Sequence, residues 1–245
     1  MTRIDKLMKV ANIRINYCSA RINLERARIL GRHGNHTTAA ELFAVAASIF
    51  RSVCTRFKLE RERKELEAIY FLCRAWESME LAEKYEEHTR FAKAATLFSK
   101  SSNLFSDTKL KFLSSANSAF CQALEFGCKF DETLDTEIKT ELYPKVKVIL
   151  SKAASLYEKG GFKSDADWAQ ATSIYFDALW QLIKADEEID LNKKRNLLKI
   201  GSEYLKSAIE LFGKAGYKEK EIEVQDRLHR VEREEKILLS ALNTI

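Results

Sequence analysis

Two stretches of the chain share one outline: "HTTAAELFAVAASIF", residues 36–50, and "FAKAATLFSKSSNLF", residues 91–105. Each opens on a ring, His36 or Phe91. Small residues follow at Ala39 and Ala40, or Ala94 and Ala95. Leu-Phe comes next, then more small residues, then a second aliphatic-Phe pair ending at Phe50 or Phe105. Apolar residues recurring at three and four mark one face of a helix. The small residues let two helices approach, and the Leu-Phe pairs fill the space between helical hairpins.

The same spacing extends along the chain when it is aligned on a ring that follows each turn: His36, Phe91, Phe130, Phe162 and Tyr217. Nine residues before these stand Ala27, Ala82, Cys121, Ala153 and Ala208, all small. Six before stand Leu30, Tyr85, Leu124, Leu156 and Leu211, all large and apolar. The rings are 55, 39, 32 and 55 residues apart, and the middle spacings lie near the 34-residue tetratricopeptide period. Helices are expected near 4–32, 37–56, 60–88, 90–106, 108–127, 132–143, 145–159, 164–186, 191–214 and 218–242. "GRHGNH", "KGGF" and "KAGY" supply the Gly that a left-handed helix stop requires, and Pro144 is expected at a helix boundary.

Composition agrees with long helices. The 245 residues include 8 Gly and 1 Pro, where average usage would give about 17 and about 12. No proline-rich or low-complexity linker divides the chain, so one domain over 1–245 is expected. Net charge is +5, too mild to imply nucleic acid by itself. The five Cys are odd in number and lack a C-x-x-C, as reduced core thiols would be. The first twenty residues carry scattered charges rather than a signal sequence, and no run of 18 apolar residues occurs, so a cytoplasmic protein without a transmembrane segment is expected.

"ALEFGCKFDETL" (123–134) and "LYEKGGFKSDA" (156–166) resemble the corner of a tetratricopeptide repeat. The long helices and the recurring Ala-Ala-x-Leu-Phe are similar in style to the soluble NSF attachment protein branch of that superfamily. The resemblance covers nearly the whole chain. Glu137 departs from it where a core aromatic is expected, and Lys220 departs at a small-residue position. The fold it implies is all-α: a right-handed superhelical stack of about five antiparallel hairpins, an α-solenoid. "RNLL" at 195–198 also resembles 14-3-3 proteins, but those are strongly acidic and this chain is basic.

Chemistry-bearing motifs are sparse. No phosphate-binding Gly-rich loop, H-E-x-x-H or E-x-x-H occurs. His33 and His36 are spaced i, i+3 across a turn without nearby ligands, so neither a metal nor another cofactor is expected. The expected function is therefore a non-catalytic scaffold or adaptor that binds a protein, peptide, helix or helical bundle in its concave groove. Any peripheral membrane association would come through such a partner.

The first helix of each hairpin should line that groove. This places Arg21, Arg28 and Arg32 in its first zone. Trp76, Met79 and Glu83 fall in its second, and Lys147 and Tyr157 in its fourth. Arg14, Arg21 and Arg28 share one helix face. Arg21, Arg28 and Arg32 would either receive acidic partners or pair with Glu83, Glu86 and Glu87 of the neighbouring unit. The alternative functions are an anion or nucleic-acid binder using this Arg-rich helix, though a net charge of +5 does not call for nucleic acid, and an unrecognised all-helical enzyme.

Overall fold

The computed structural model describes residues 3–57 and 59–242. These form nine helices among the described residues and no strand. They are α1 (Arg3–Arg32), α2 (His36–Cys54), α3 (Glu60–Tyr85), α4 (His88–Leu104), α5 (Thr108–Glu132), α6 (Thr136–Gly160), α7 (Lys163–Glu187), α8 (Leu191–Ala215) and α9 (Lys218–Leu242). Each packs chiefly on its neighbours in sequence.

The small residues do what their spacing predicts. Ala27, Ala82, Cys121, Ala153 and Ala208 are all fully buried. The repeated rings meet through a third. Phe43 of α2 stacks on Trp76 of α3 at 6.0 Å, and Phe98 of α4 meets the same indole edge-on at 5.3 Å. Trp76 therefore joins the first two hairpins, with Phe43 and Phe98 both fully buried. Burial of such rings contributes roughly 1.5–3 kcal/mol each.

Two expected boundaries are corrected. The break at Pro144 does not exist, because α6 runs through it from Thr136 to Gly160. Proline there frees the Thr140 carbonyl, at a cost of about 3 kcal/mol in a helix interior. Thr140 and Pro144 are both exposed, so water can take that carbonyl. Leu142, Val146, Leu150, Ala153 and Tyr157 keep one continuous buried face that outweighs the loss.

Likewise α5 does not stop at residue 127. Gly127 is buried inside it, where a Cβ would lie 2.6 Å from the Phe176 ring of α7. This glycine serves close packing and does not end the helix. Phe130 consequently lies within α5 and follows no turn.

The connections come in two kinds. Tight corners with a left-handed residue, Gly34, Glu86, Gly161 or Gly216, follow α1, α3, α6 and α8. Extended links follow α4, α5 and α7, and the next helix is capped by Asp107, Asp135 or Asp190. The alternation of tight corner and extended link shifts phase at α5, which belongs to no tight hairpin.

Only α2, among the described helices, is long and apolar enough to cross a membrane by composition. Its Ala39, Phe43, Ala46, Phe50 and Val53 are buried between α1 and α3. A core helix passes the same test of length and apolarity.

Candidate functional site

The four tight corners converge. Arg32, at the end of α1, reaches Asp165 at the start of α7 (Nη2 to Oδ1 3.4 Å) and covers the Tyr217 ring at 5.3 Å. Lys220 of α9 pairs with Glu83 of α3 at 3.2 Å. Ser164 donates to the Ala215 carbonyl at 2.7 Å, joining the last two corners. Trp168 stacks on Tyr217 at 4.3 Å and meets Phe120 at 4.0 Å. Residues far apart in sequence thus close one polar cluster over an aromatic floor.

His36 stands at its centre. Nδ1–H donates to Glu80 Oε2 at 2.7 Å and Nε2–H to Glu219 Oε2 at 2.8 Å. Only the imidazolium donates from both nitrogens. Burial pulls the ring's pKa down, but the hydrogen bond and charge of Glu80 outweigh it. With Glu219 and Glu83 adding to this, the pKa rises to about 9. Glu80 is held above the usual carboxylate range by its own burial, against which His36 acts. The geometry favours the charged pair, since each His36 nitrogen faces a carboxylate oxygen. Gly31 makes room for this: a Cβ there would lie 2.2 Å from Glu80 Oε1.

The cavity left inside the cluster is about 40 Å³, room for roughly two or three waters and none for a helix about 10 Å across. Its walls carry Arg28, Arg32, His36 and Lys220 against Glu80, Glu83, Asp165 and Glu219. Arg32 pairs with Asp165, Lys220 with Glu83, and His36 with Glu80 and Glu219, so most of this charge is balanced within the cluster.

Of the groove residues expected from sequence, Arg28, Arg32, Trp76, Met79 and Glu83 line this cluster together. Arg21 does not; it pairs within α1 with Glu25 at 3.6 Å, and Arg28 shares that carboxylate at 3.3 Å. The expected pairing with Glu83, Glu86 and Glu87 is not formed, because Glu83 takes Lys220 and Glu87 takes Arg90. Lys147 lies elsewhere, bound to Asp177 at 2.6 Å and to the Ser173 carbonyl. Tyr157 is fully buried, its hydroxyl donating to Asn117 at 2.5 Å. It is a core residue and faces no groove, because α6 turns that side inward.

Sequence reading missed Asp165, Glu80, Glu219 and the rings Trp168 and Tyr217 as members of one cluster. The one available signal was Lys220, charged where the repeat wants a small residue. The structure explains the departure, since its ammonium crosses to Glu83 and Glu223. The thiols also divide unexpectedly. Cys73 and Cys121 are buried, and burial pushes Cys73 up to about 12, whereas Cys18 is exposed on α1. Among the described residues, no three His, Cys, Asp or Glu side chains are grouped to hold a metal ion.

A second cavity, of about 410 Å³, lies between α5 and α9. Phe130, Leu179, Leu198 and Val231 form its floor. Asp131, Lys139, Asp186, Arg227 and Arg230 stand around it.

No family model, curated protein or solved structure matches the chain.

Proposed function

We propose that the chain is a non-catalytic interaction protein of the helical-repeat type, a right-handed superhelical stack that holds a peptide segment of a protein partner. Sequential packing of its helices and the small residues recurring before the rings support the repeat reading. The observation that carries the binding role is the open cavity of about 410 Å³ walled by five successive helices. Its size falls within the range of ligand pockets, roughly 300–1,000 Å³. An apolar floor under a rim of both charge signs suits an apolar side chain flanked by charged neighbours.

The corner cluster plays a different part. Its cavity is too small for a peptide and its charges are mostly paired, so it fixes the shape of the stack while the partner enters between α5 and α9. Selection of displayed random peptides on the immobilised chain tests this. Enriched peptides should share an apolar anchor and lose retention on two variants of the lining, Ile183→Asp, at a partly buried wall residue of α7, and Arg230→Glu. Absence of enrichment, or peptides indifferent to both variants, would remove the proposal.

A further inference from the structure

α1 is apolar on two opposite faces. Ala20, Leu24 and Ala27 are buried against the rest of the fold. Roughly 160° around the axis, Met8, Ile15, Ile22 and Ile29 recur every seven residues and are 60, 64, 57 and 60% exposed. Ile4, Ala11 and Cys18 alternate with them, all exposed. A seven-residue repeat with apolar residues at two alternating positions is the seam of a coiled coil, and from Met8 to Ile29 it runs about 32 Å.

The other end of the chain is built differently. Exposed positions of α9 carry Glu223, Asp226, Arg230, Arg233 and Lys236. Terminal helices of a stacked array need a polar outer face to remain in water. α9 is mainly polar there, with Ile222, Ile237 and Leu239 exposed near its two ends, whereas α1 presents a row of apolar residues every three or four positions from Ile4 to Ile29.

We infer that this face of α1 is a docking seam for one amphipathic helix of a partner protein, apolar along its own seam and acidic along its flank. Charge identifies the occupant. Arg14, Arg21 and Arg28 all fall at the position just before the main seam residue, along one flank. Arg14 has no ion-pair partner among the described residues, and Arg21 and Arg28 share the single carboxylate of Glu25. A second copy of this chain fits poorly. Antiparallel pairing sets Arg21 on Arg21 and Arg14 on Arg28, and parallel pairing sets Arg21 on Arg26. Carboxylates on a partner helix would instead meet each guanidinium. Glu25 interrupts the apolar seam once, and a single polar seam residue fixes register. A lipid surface asks for a broad apolar half-cylinder along the helix; Leu7 and Val10 widen the exposed apolar face at the start of α1, but beyond Asn12 it narrows to Ile15, Cys18, Ile22 and Ile29, with Ser19 and Glu25 beside and within it. The seam is separate from the cavity between α5 and α9, so either can fail without the other.

The probe is a four-heptad synthetic peptide with Leu at both seam positions and Glu along both flanks, with a Lys-flanked version as control. Isothermal titration with the full chain should show one-to-one binding of the acidic peptide and none of the basic one. Ile15→Asp with Ile22→Asp should weaken binding at least about tenfold while leaving the circular dichroism unchanged, since both side chains are exposed. Arg14→Glu with Arg21→Glu should reverse the preference toward the basic peptide. Four results would overturn the inference: no binding of the acidic peptide, equal binding of both, a wild-type dimer in sedimentation that Ile22→Asp dissolves, or seam-dependent binding to phosphatidylserine vesicles in place of the peptide.

Discussion

Replacing His36 by Gln should destabilise the protein by an amount that depends on pH. In the native state His36 donates to Glu80 and Glu219 at 2.7 and 2.8 Å, and its pKa is raised from 6.5 to about 9. A group held above its unfolded value stabilises fully below that unfolded value. The contribution is lost as pH rises through the folded one. The window therefore opens near pH 6.5 and closes above about 9. At 1.36 kcal/mol per unit the shift corresponds to roughly 3 kcal/mol. Glu219 is 43% exposed, so solvent screening reduces the expected figure to about 1–2 kcal/mol. For a chain of this size that is roughly 2–8 °C in Tm. Thermal melts of both proteins, followed at 222 nm from pH 6 to pH 10, measure the gap. It should be full at pH 6 and mostly gone at pH 10. A gap of the same size at both ends, or none at pH 6, would refute the charged clamp.

Three further substitutions probe the two corrected helices and the α3 corner. Gly127→Ala gains helix propensity but drives a methyl into the Phe176 ring, 2.6 Å from the new Cβ; a net loss of about 1–2 kcal/mol is expected in urea unfolding. Pro144→Ala restores a backbone hydrogen bond inside α6 and should add about 1–3 kcal/mol, a gain that a true helix boundary there would not give. Glu86 holds φ 51° at the α3 corner, a conformation that costs a non-glycine residue about 1 kcal/mol. Glu86→Gly should therefore raise Tm slightly, and a fall would show that its carboxylate matters more than its backbone.

Local packing was legible in the sequence and long-range closure was not. Ala27, Ala82, Cys121, Ala153 and Ala208 could be found because a close helix contact demands a small side chain at a fixed distance from the corner, and all five are buried. Trp76 was legible as a large ring near the second corner, but its place between Phe43 and Phe98 needed three helices at once. Gly127 and Pro144 misled because breakers read alone signal a stop. Their neighbours on α7 and in water decide otherwise. His36 and Glu219 are 183 positions apart, so no spacing rule can pair them. The seam on α1 was half visible: the Arg repeat was read, but the isoleucines beside it gain meaning only once α1 is seen to bury its opposite face.

Everything proposed about where partners dock depends on the first and last tight corners meeting at the charged cluster and leaving the outer face of α1 and the cavity between α5 and α9 open. A zero-length carbodiimide cross-link analysed by mass spectrometry tests this most directly. Lys220 Nζ lies 3.2 Å from Glu83 Oε2, so an amide joining these two residues is expected in the monomer. Cross-links of Lys220 confined to its own helix, with none to α3, would contradict the closed arrangement.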